Sequence, residues 1–202
     1  MARSTREAAR TLAAIAHEQG GYFTAKQAAE AGYGYRHLDY HETARNFERI
    51  DHGLYRLPEV PRTEHDDLIR LSLWSRNQKD EPQAVVSHET ALVLHELGDL
   101  LPGVVHLTVP PRFRKVPPTG CVLHKSALGS ADFEDRVGFR VTTPLRTILD
   151  AAAGGVSQAE LEKAVAEALS RGIVRKKALE DAVAHPGFER IKSAIVRKAK
   201  RR

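Results

Sequence analysis

At 202 residues, 42% apolar and 28% charged, the chain has the composition of an ordinary globular protein of one large or two small domains. No run approaches the roughly 18 apolar residues of a membrane span. Met1-Ala2-Arg3-Ser4 is not an apolar signal core, and Cys121, the only cysteine, allows neither an internal disulfide nor a thiolate cluster. These features point to a cytoplasmic setting. The net charge of +5 is not spread evenly. Residues 1–60 and 61–130 are each neutral, 131–185 carry −1, and 186–202 carry +6. Bulk charge is therefore no argument for a nucleic-acid site at the N-terminus, which must be argued from pattern.

Ser4-Thr5-Arg6-Glu7 fits a capping box, and Ala8, Leu12, Ile15 and Ala16 recur at helical spacing, predicting a first helix that stops near Gly20-Gly21. Tyr22-Phe23 is a short apolar lead-in. Thr24-Ala25-Lys26-Gln27 is a second capping box, opening a short helix through Ala31. Gly32-Tyr33-Gly34 breaks it, and a third helix follows from Tyr35 to about Arg45. Two short helices about a glycine turn have the form of a helix-turn-helix. Asn46 to Ile50, then Asp51-His52-Gly53, then Leu54 to Leu57 read as a β-hairpin, which in this position is a wing.

Pro58 and Pro61 bracket the expected linker, which divides the chain into a winged helix-turn-helix domain at 1–60 and a second domain at 61–202. Helix signals return at Thr63, with Leu68, Ile69, Leu71 and Trp74 as a stripe. Ser87 is a candidate cap for a helix from His88 to Leu97. Val104–Val109, Cys121–His124 and Val137–Val141 are strand candidates, and Asp132, Glu134 and Asp135 read as a loop. Thr143-Pro144 starts a helix, with proline at its first position. Ser157-Gln158-Ala159-Glu160 is a third capping box, for a helix to about Arg171. Helices at Lys176–Ala184 and from Phe188 into the tail complete an α+β chain with mixed strands and helices and a helical C-terminal end.

The second helix of a helix-turn-helix lies in the major groove. There it offers Tyr35, Arg36, His37, Asp39, Tyr40, His41 and Thr43, with Leu38 inward. Arg36 is suited to guanine O6/N7. The tyrosines, His37, Thr24, Lys26 and the backbone N–H groups after Thr24 are suited to phosphates. Arg49, His52 and Arg56 fall on or near the wing. A three-helix unit with a hairpin is also a protein-docking module, so residue types alone leave both readings open. In the tail, Arg190, Lys192, Arg197, Lys198 and Lys200 form a basic patch suited to an acidic partner or to DNA. Chemistry-bearing motifs are scarce. His88-Glu89 with His95 has the wrong spacing for a zinc protease. His88, His95, His106 and His124 lack ligand spacing, and there is neither a phosphate-binding loop nor a nucleophile elbow. No catalytic residue, metal or cofactor is expected. A degenerate nuclease using Asp132 or Glu134 is the remaining enzymatic alternative.

Three stretches carry a resemblance. The first is Tyr22-Phe23-Thr24-Ala25-Lys26-Gln27-Ala28 with Gly34-Tyr35-Arg36-His37-Leu38, Tyr40-His41, Asn46-Phe47-Glu48-Arg49-Ile50 and Gly53-Leu54-Tyr55-Arg56-Leu57. The second is Val86-Ser87-His88-Glu89-Thr90-Ala91-Leu92 with His95-Glu96-Leu97-Gly98 and Val105-His106-Leu107-Thr108-Val109-Pro110. The third is Val141-Thr142-Thr143-Pro144-Leu145-Arg146-Thr147-Ile148-Leu149-Asp150. In this order they resemble the AbiEi-type antitoxins, over roughly residues 20 to 152. The resemblance implies an antitoxin of a bacterial type IV toxin–antitoxin pair, a class tied to phage defence. Its winged domain would repress its own operon by binding promoter DNA, and its C-terminal domain would take part in neutralising a nucleotidyltransferase toxin. Arg45 departs from the family, standing where relatives often have glycine, and this winged domain is less basic than many. The competing expectation is a stand-alone transcription regulator whose second domain senses a ligand. Oligomeric state is not legible.

Overall fold

The computed structural model describes residues 5–182 and 185–200, with side chains at 6–182 and 185–195. It separates into two compact units, one of Met1–Pro82 with Arg136–Phe139, the other of Gln83–Asp135 with Arg140–Arg202.

The first unit runs α1 (Thr5–Glu18), β1 (Tyr22–Thr24), α2 (Ala25–Ala31), α3 (Tyr35–Thr43), β2 (Glu48–Asp51), β3 (Leu54–Arg56) and α4 (Asp66–Trp74). Its sheet has the order β1-β3-β2, antiparallel throughout. Tyr22-Phe23, expected only as a lead-in, is a true strand, because Tyr22 pairs with Arg56 and Phe23 with Tyr55. The β2–β3 hairpin closes through His52-Gly53 and carries a bulge between Arg49 and Asp51. Leu12, Ala16, Phe23, Ala28, Leu38, Phe47 and Tyr55 form the core. Phe23 is fully buried, with Phe47 edge-on at 5.0 Å and Tyr55 stacked at 5.8 Å between ring centres. Such pairs add about 0.5–1.5 kcal/mol beyond their area.

α4 belongs to this unit, although the sequence places everything after Pro61 in the second domain. The Tyr22 hydroxyl donates to Asp66 Oδ2 at 2.9 Å, and Ile69 is fully buried where only glycine fits at position 20. The compact boundary therefore follows Pro82, not the Pro58–Pro61 segment.

The second unit, apart from residues 136–139 assigned to the first, runs β4 (Val85–Val86), α5 (His88–Leu94), β5 (Val105–Val109), β6 (Cys121–Lys125), β7 (Phe133–Arg136), β8 (Phe139–Thr142), α6 (Pro144–Gly154), α7 (Gln158–Ser170), α8 (Lys176–Glu180) and α9 (Phe188–Lys200). Its sheet has the order β6-β5-β4-β8-β7. The β5–β6 and β4–β8 pairs are parallel, and β4–β5 is antiparallel. Three expectations are corrected here. Val137–Val141 is not one strand: a turn at Val137-Gly138, with φ of +77° at the glycine, divides β7 from β8. Glu134 and Asp135 accordingly lie in β7 rather than in a loop. α5 also ends earlier than Leu97, at Leu94, because Glu96 and Gly98 take left-handed backbone conformations. Leu92, Leu97, Ile148, Leu161, Val165, Leu179 and Ile191 fill the core between α5, α6, α7, α8 and α9. α8 ends at Glu180, short of the expected Ala184, which itself lies outside the described residues.

Candidate nucleic-acid interface

Local chemistry builds the α2–turn–α3 unit. The Thr24 hydroxyl accepts from Gln27 N–H at 3.1 Å, and Gln27 Oε1 accepts from Thr24 N–H at 2.9 Å, the capping box expected from sequence. Gln27 and Gln19 also exchange side-chain hydrogen bonds at 2.9 and 3.1 Å, fixing α2 on the end of α1. Gly32 ends α2 in the left-handed region at φ 112°, which costs glycine little and other residues more. Tyr33 is buried, and Gly34 N–H donates to His37 Nδ1 at 3.3 Å as α3 begins.

α3 presents two stripes. His37 and His41, one turn apart, face the Tyr33 ring at 6.4 and 5.3 Å. His41 also stacks on Phe47 at 4.6 Å and hydrogen-bonds Asn46 Nδ2 at 3.1 Å. Burial, reinforced by the neighbouring His37, holds the His41 imidazole below its usual pKa. Leu38 is buried. Arg36 and Tyr40 form the outward stripe, with Thr43 a turn further on. Tyr35 is 82% exposed and Tyr40 66%. A large ring left this open gains nothing from the fold. Asp39 is exposed on the same helix, so the charge on this surface is mixed.

The hairpin turn is anchored on α2. Ala25 N–H donates to the Gly53 carbonyl at 2.8 Å, tying the turn to the start of α2. Arg49 and His52 are exposed beside it.

Several expected contact residues are occupied within the protein. The Thr24 hydroxyl is the α2 cap, and the Ala25 and Gln27 N–H groups are used as described, so this helix start does not offer a free row of donors. Lys26 Nζ donates to the Gln78 carbonyl at 3.0 Å. His41 packs against Phe47 rather than standing free. Arg56 is the clearest correction. It is 2% exposed, sits 5.6 Å from the Tyr22 ring centre, hydrogen-bonds the Val60 carbonyl and lies 3.8 Å from Glu48. Its position in the central strand of a three-stranded sheet buries it, and the guanidinium ties the sheet to the following loop. In the C-terminal patch, Arg190 donates to the carbonyls of Ala152, at 2.7 Å, and Val156, which makes it a clamp between helices. Lys192 is exposed. The side chains of Arg197, Lys198 and Lys200 lie outside the described residues. Arg45, not among the expected contacts, is exposed with φ of 59° at the end of α3.

Of the four histidines weighed as metal ligands, three do meet. His88 stacks on His124 at 3.5 Å, and His106 Nδ1 lies 2.9 Å from His124 Nε2. The rings lie face to face, and among the described residues no group of three or more His, Cys, Asp or Glu is arranged to hold a metal ion. His95 is apart, its Nε2 2.7 Å from the Thr142 carbonyl oxygen. Burial, with His124 and His106 alongside, lowers the pKa of His88 to about 3. A Cβ at position 154 would lie 2.7 Å from the His88 ring, so only glycine admits this stack.

No helix among the described residues is long and apolar enough to cross a membrane. Residues 10–58 match the family described as "Transcriptional regulator, AbiEi antitoxin". The resemblance read from Tyr22 to Leu57 is thereby borne out in that region, and the match ends before the second unit. Among solved structures, the chain is similar to the RV2827C protein of Mycobacterium tuberculosis. The TM-score is 0.58 at 16% identity, covering 96% of this chain and 78% of that one, a likeness of fold alone. No curated protein matches the sequence.

Proposed function

From the AbiEi match over residues 10–58, we propose that this chain is an antitoxin and autorepressor of a type IV toxin–antitoxin operon, working in the cytoplasm. In this reading residues 1–60 are a winged helix-turn-helix: α3 enters the major groove and the β2–β3 hairpin is the wing. Arg36 reads a base edge, while Tyr35, His37 and Tyr40 meet the backbone, joined by Arg49 and His52 from the wing. The second compact unit, which begins at Gln83, is the domain that neutralises a nucleotidyltransferase toxin. The observation that carries the reading is the Arg36/Tyr40 stripe of α3, which lies inside the matched segment and is exposed to solvent.

Mobility-shift titration with the promoter of the chain's own operon tests the DNA half. Binding weakens steeply with salt and is lost in Arg36→Ala/Tyr40→Ala. Undiminished binding by that variant overturns the assignment of α3. Co-expression with the neighbouring nucleotidyltransferase tests the other half. A toxic neighbour relieved by this chain supports neutralisation. A harmless neighbour, or none, leaves a stand-alone regulator.

A further inference from the structure

Residues 61–130 are neutral only as an average. Every Asp and Glu of that stretch lies at or before Asp99, and none occurs from Leu100 to Ala131, where Arg112, Arg114, Lys115 and Lys125 fall. The same segment leaves Leu101 95% and Val116 83% exposed, with Val104 and Val122 also open to solvent. Buried Phe113, its N–H on the Pro110 carbonyl at 2.9 Å, pins the connection between β5 and β6. Arg112 and Arg114 beside it are exposed, and neither has an acidic partner among the described residues.

β6, which ends this segment, is an edge strand. Its parallel register with β5 decides which of its amides are free. Ser126 N–H donates to the Val109 carbonyl at 3.0 Å, and the Gly120 carbonyl accepts from Val105 N–H at 2.7 Å. Residues 120, 122, 124 and 126 therefore turn their peptide groups to β5. Leu123 and Lys125 turn theirs outward, where no strand of the described residues lies.

We propose that the β6 edge docks a protein partner, which adds an extended acidic strand beside Leu123 and Lys125. An outward alternation of N–H and C=O is satisfied by another peptide strand, which supplies both donors and acceptors. The positive charge of Lys125, Arg112 and Arg114 selects a partner bearing Asp or Glu, and it repels a second copy of the same edge. Exposed Val122 and Val104 lie beside that edge, since Val105 pairs with Cys121. They suit a partner's aliphatic side chains and offer nothing to a sugar–phosphate backbone. This inference goes beyond the proposed function and does not depend on the DNA reading.

The test uses the full chain and a fluorescein-labelled peptide of alternating Glu and Val, with an alternating Lys and Val peptide as control. Fluorescence anisotropy is expected to show the acidic peptide binding at least about tenfold more tightly than the basic one. Arg112→Glu/Arg114→Glu, at exposed positions, weakens it by a similar factor. Lys125→Pro, which removes the outward N–H, weakens binding more than Lys125→Ala, which keeps it. Hydrogen exchange at Leu123 and Lys125 slows when the peptide is added. Four results would overturn the proposal: no binding of the acidic peptide, equal binding of both peptides, indifference to the arginine exchange, or equal effects of Lys125→Pro and Lys125→Ala. Displacement of the peptide by random duplex DNA at lower concentration would identify a nucleic-acid surface instead. Dimerisation abolished by Lys125→Pro would identify a self-interface.

Discussion

Both units stack imidazoles against other rings, but the stacks serve different ends. In the first unit His41 lies against Phe47 and Tyr33, and this packing turns the opposite stripe of α3, Arg36 and Tyr40, to solvent. In the second unit His88, His106 and His124 stack on one another within a polar network. Ser87 Oγ lies 2.9 Å from His88 Nδ1 and accepts from the Thr108 hydroxyl at 2.8 Å. The same side chain is a support for an exposed surface in one place and part of the interior in the other. What decides its role is the ring behind it, apolar in one case and titratable in the other.

In the first unit, buried Arg56 allows the largest test. Arg56→Ala removes a buried cation from the Tyr22 ring and leaves the Val60 carbonyl without its partner, at a cost of about 3 kcal/mol of stability. Thermal denaturation followed by circular dichroism measures the loss. A melting temperature unchanged from wild type would return Arg56 to the surface.

The second unit should respond to acid more strongly than the first, where His41 is lowered in the same direction. The folded His88 pKa of about 3 lies below its unfolded value of 6.5. Below pH 6.5 the unfolded chain takes up the proton first, so stability is present above that pH and is lost as pH falls toward 3. Between pH 7 and pH 5 this amounts to about 2 kcal/mol. His124, lowered by burial and by His106, acts in the same direction. His88→Asn should flatten the dependence in urea titrations at the two pH values, and an unchanged slope would refute the role of the stack.

Arg36→Ala and Tyr40→Ala singly are expected to cost about 1–3 kcal/mol of promoter affinity each. They should leave the melting temperature within experimental scatter, the inverse of Arg56→Ala. Arg45→Gly is the smallest effect. It relieves a left-handed arginine worth about 1–2 kcal/mol and gives back about 0.5–1 kcal/mol in unfolded-chain entropy. A net gain below about 1 kcal/mol by chemical denaturation is expected.

Most helices were legible because their ends carry local chemistry. Thr24 and Gln27 form the box their spacing announces, Pro144 opens α6, and Ser157 accepts from Glu160 N–H at 3.2 Å. What escaped is held by distant partners. β4 is two residues long and is defined by Thr108, Leu107 and Val141. β7 is acidic and exists because β8 lies beside it. Arg56 has the composition of a surface residue and the position of a core one. The charge divide after Asp99 was hidden by the window over which it was averaged. The stripe of α3 was legible in periodicity, but which of its histidines pack depends on Tyr33 and Phe47, placed by the sheet.

The hairpin bulge has a consequence for how such proteins can diverge. Glu48 pairs with Arg56 and Arg49 with Tyr55, yet Asp51, not Ile50, pairs with Leu54. One residue is looped out between a fixed base and a turn held to α2 by the Ala25–Gly53 bond. A single-residue deletion there would leave Phe47, Tyr55 and the core beneath them in register and Asp51 opposite Leu54, while removing the bend and extra twist that aim the tip and His52. Length change at this one position is thus a route to a new surface at the hairpin tip that spares the core.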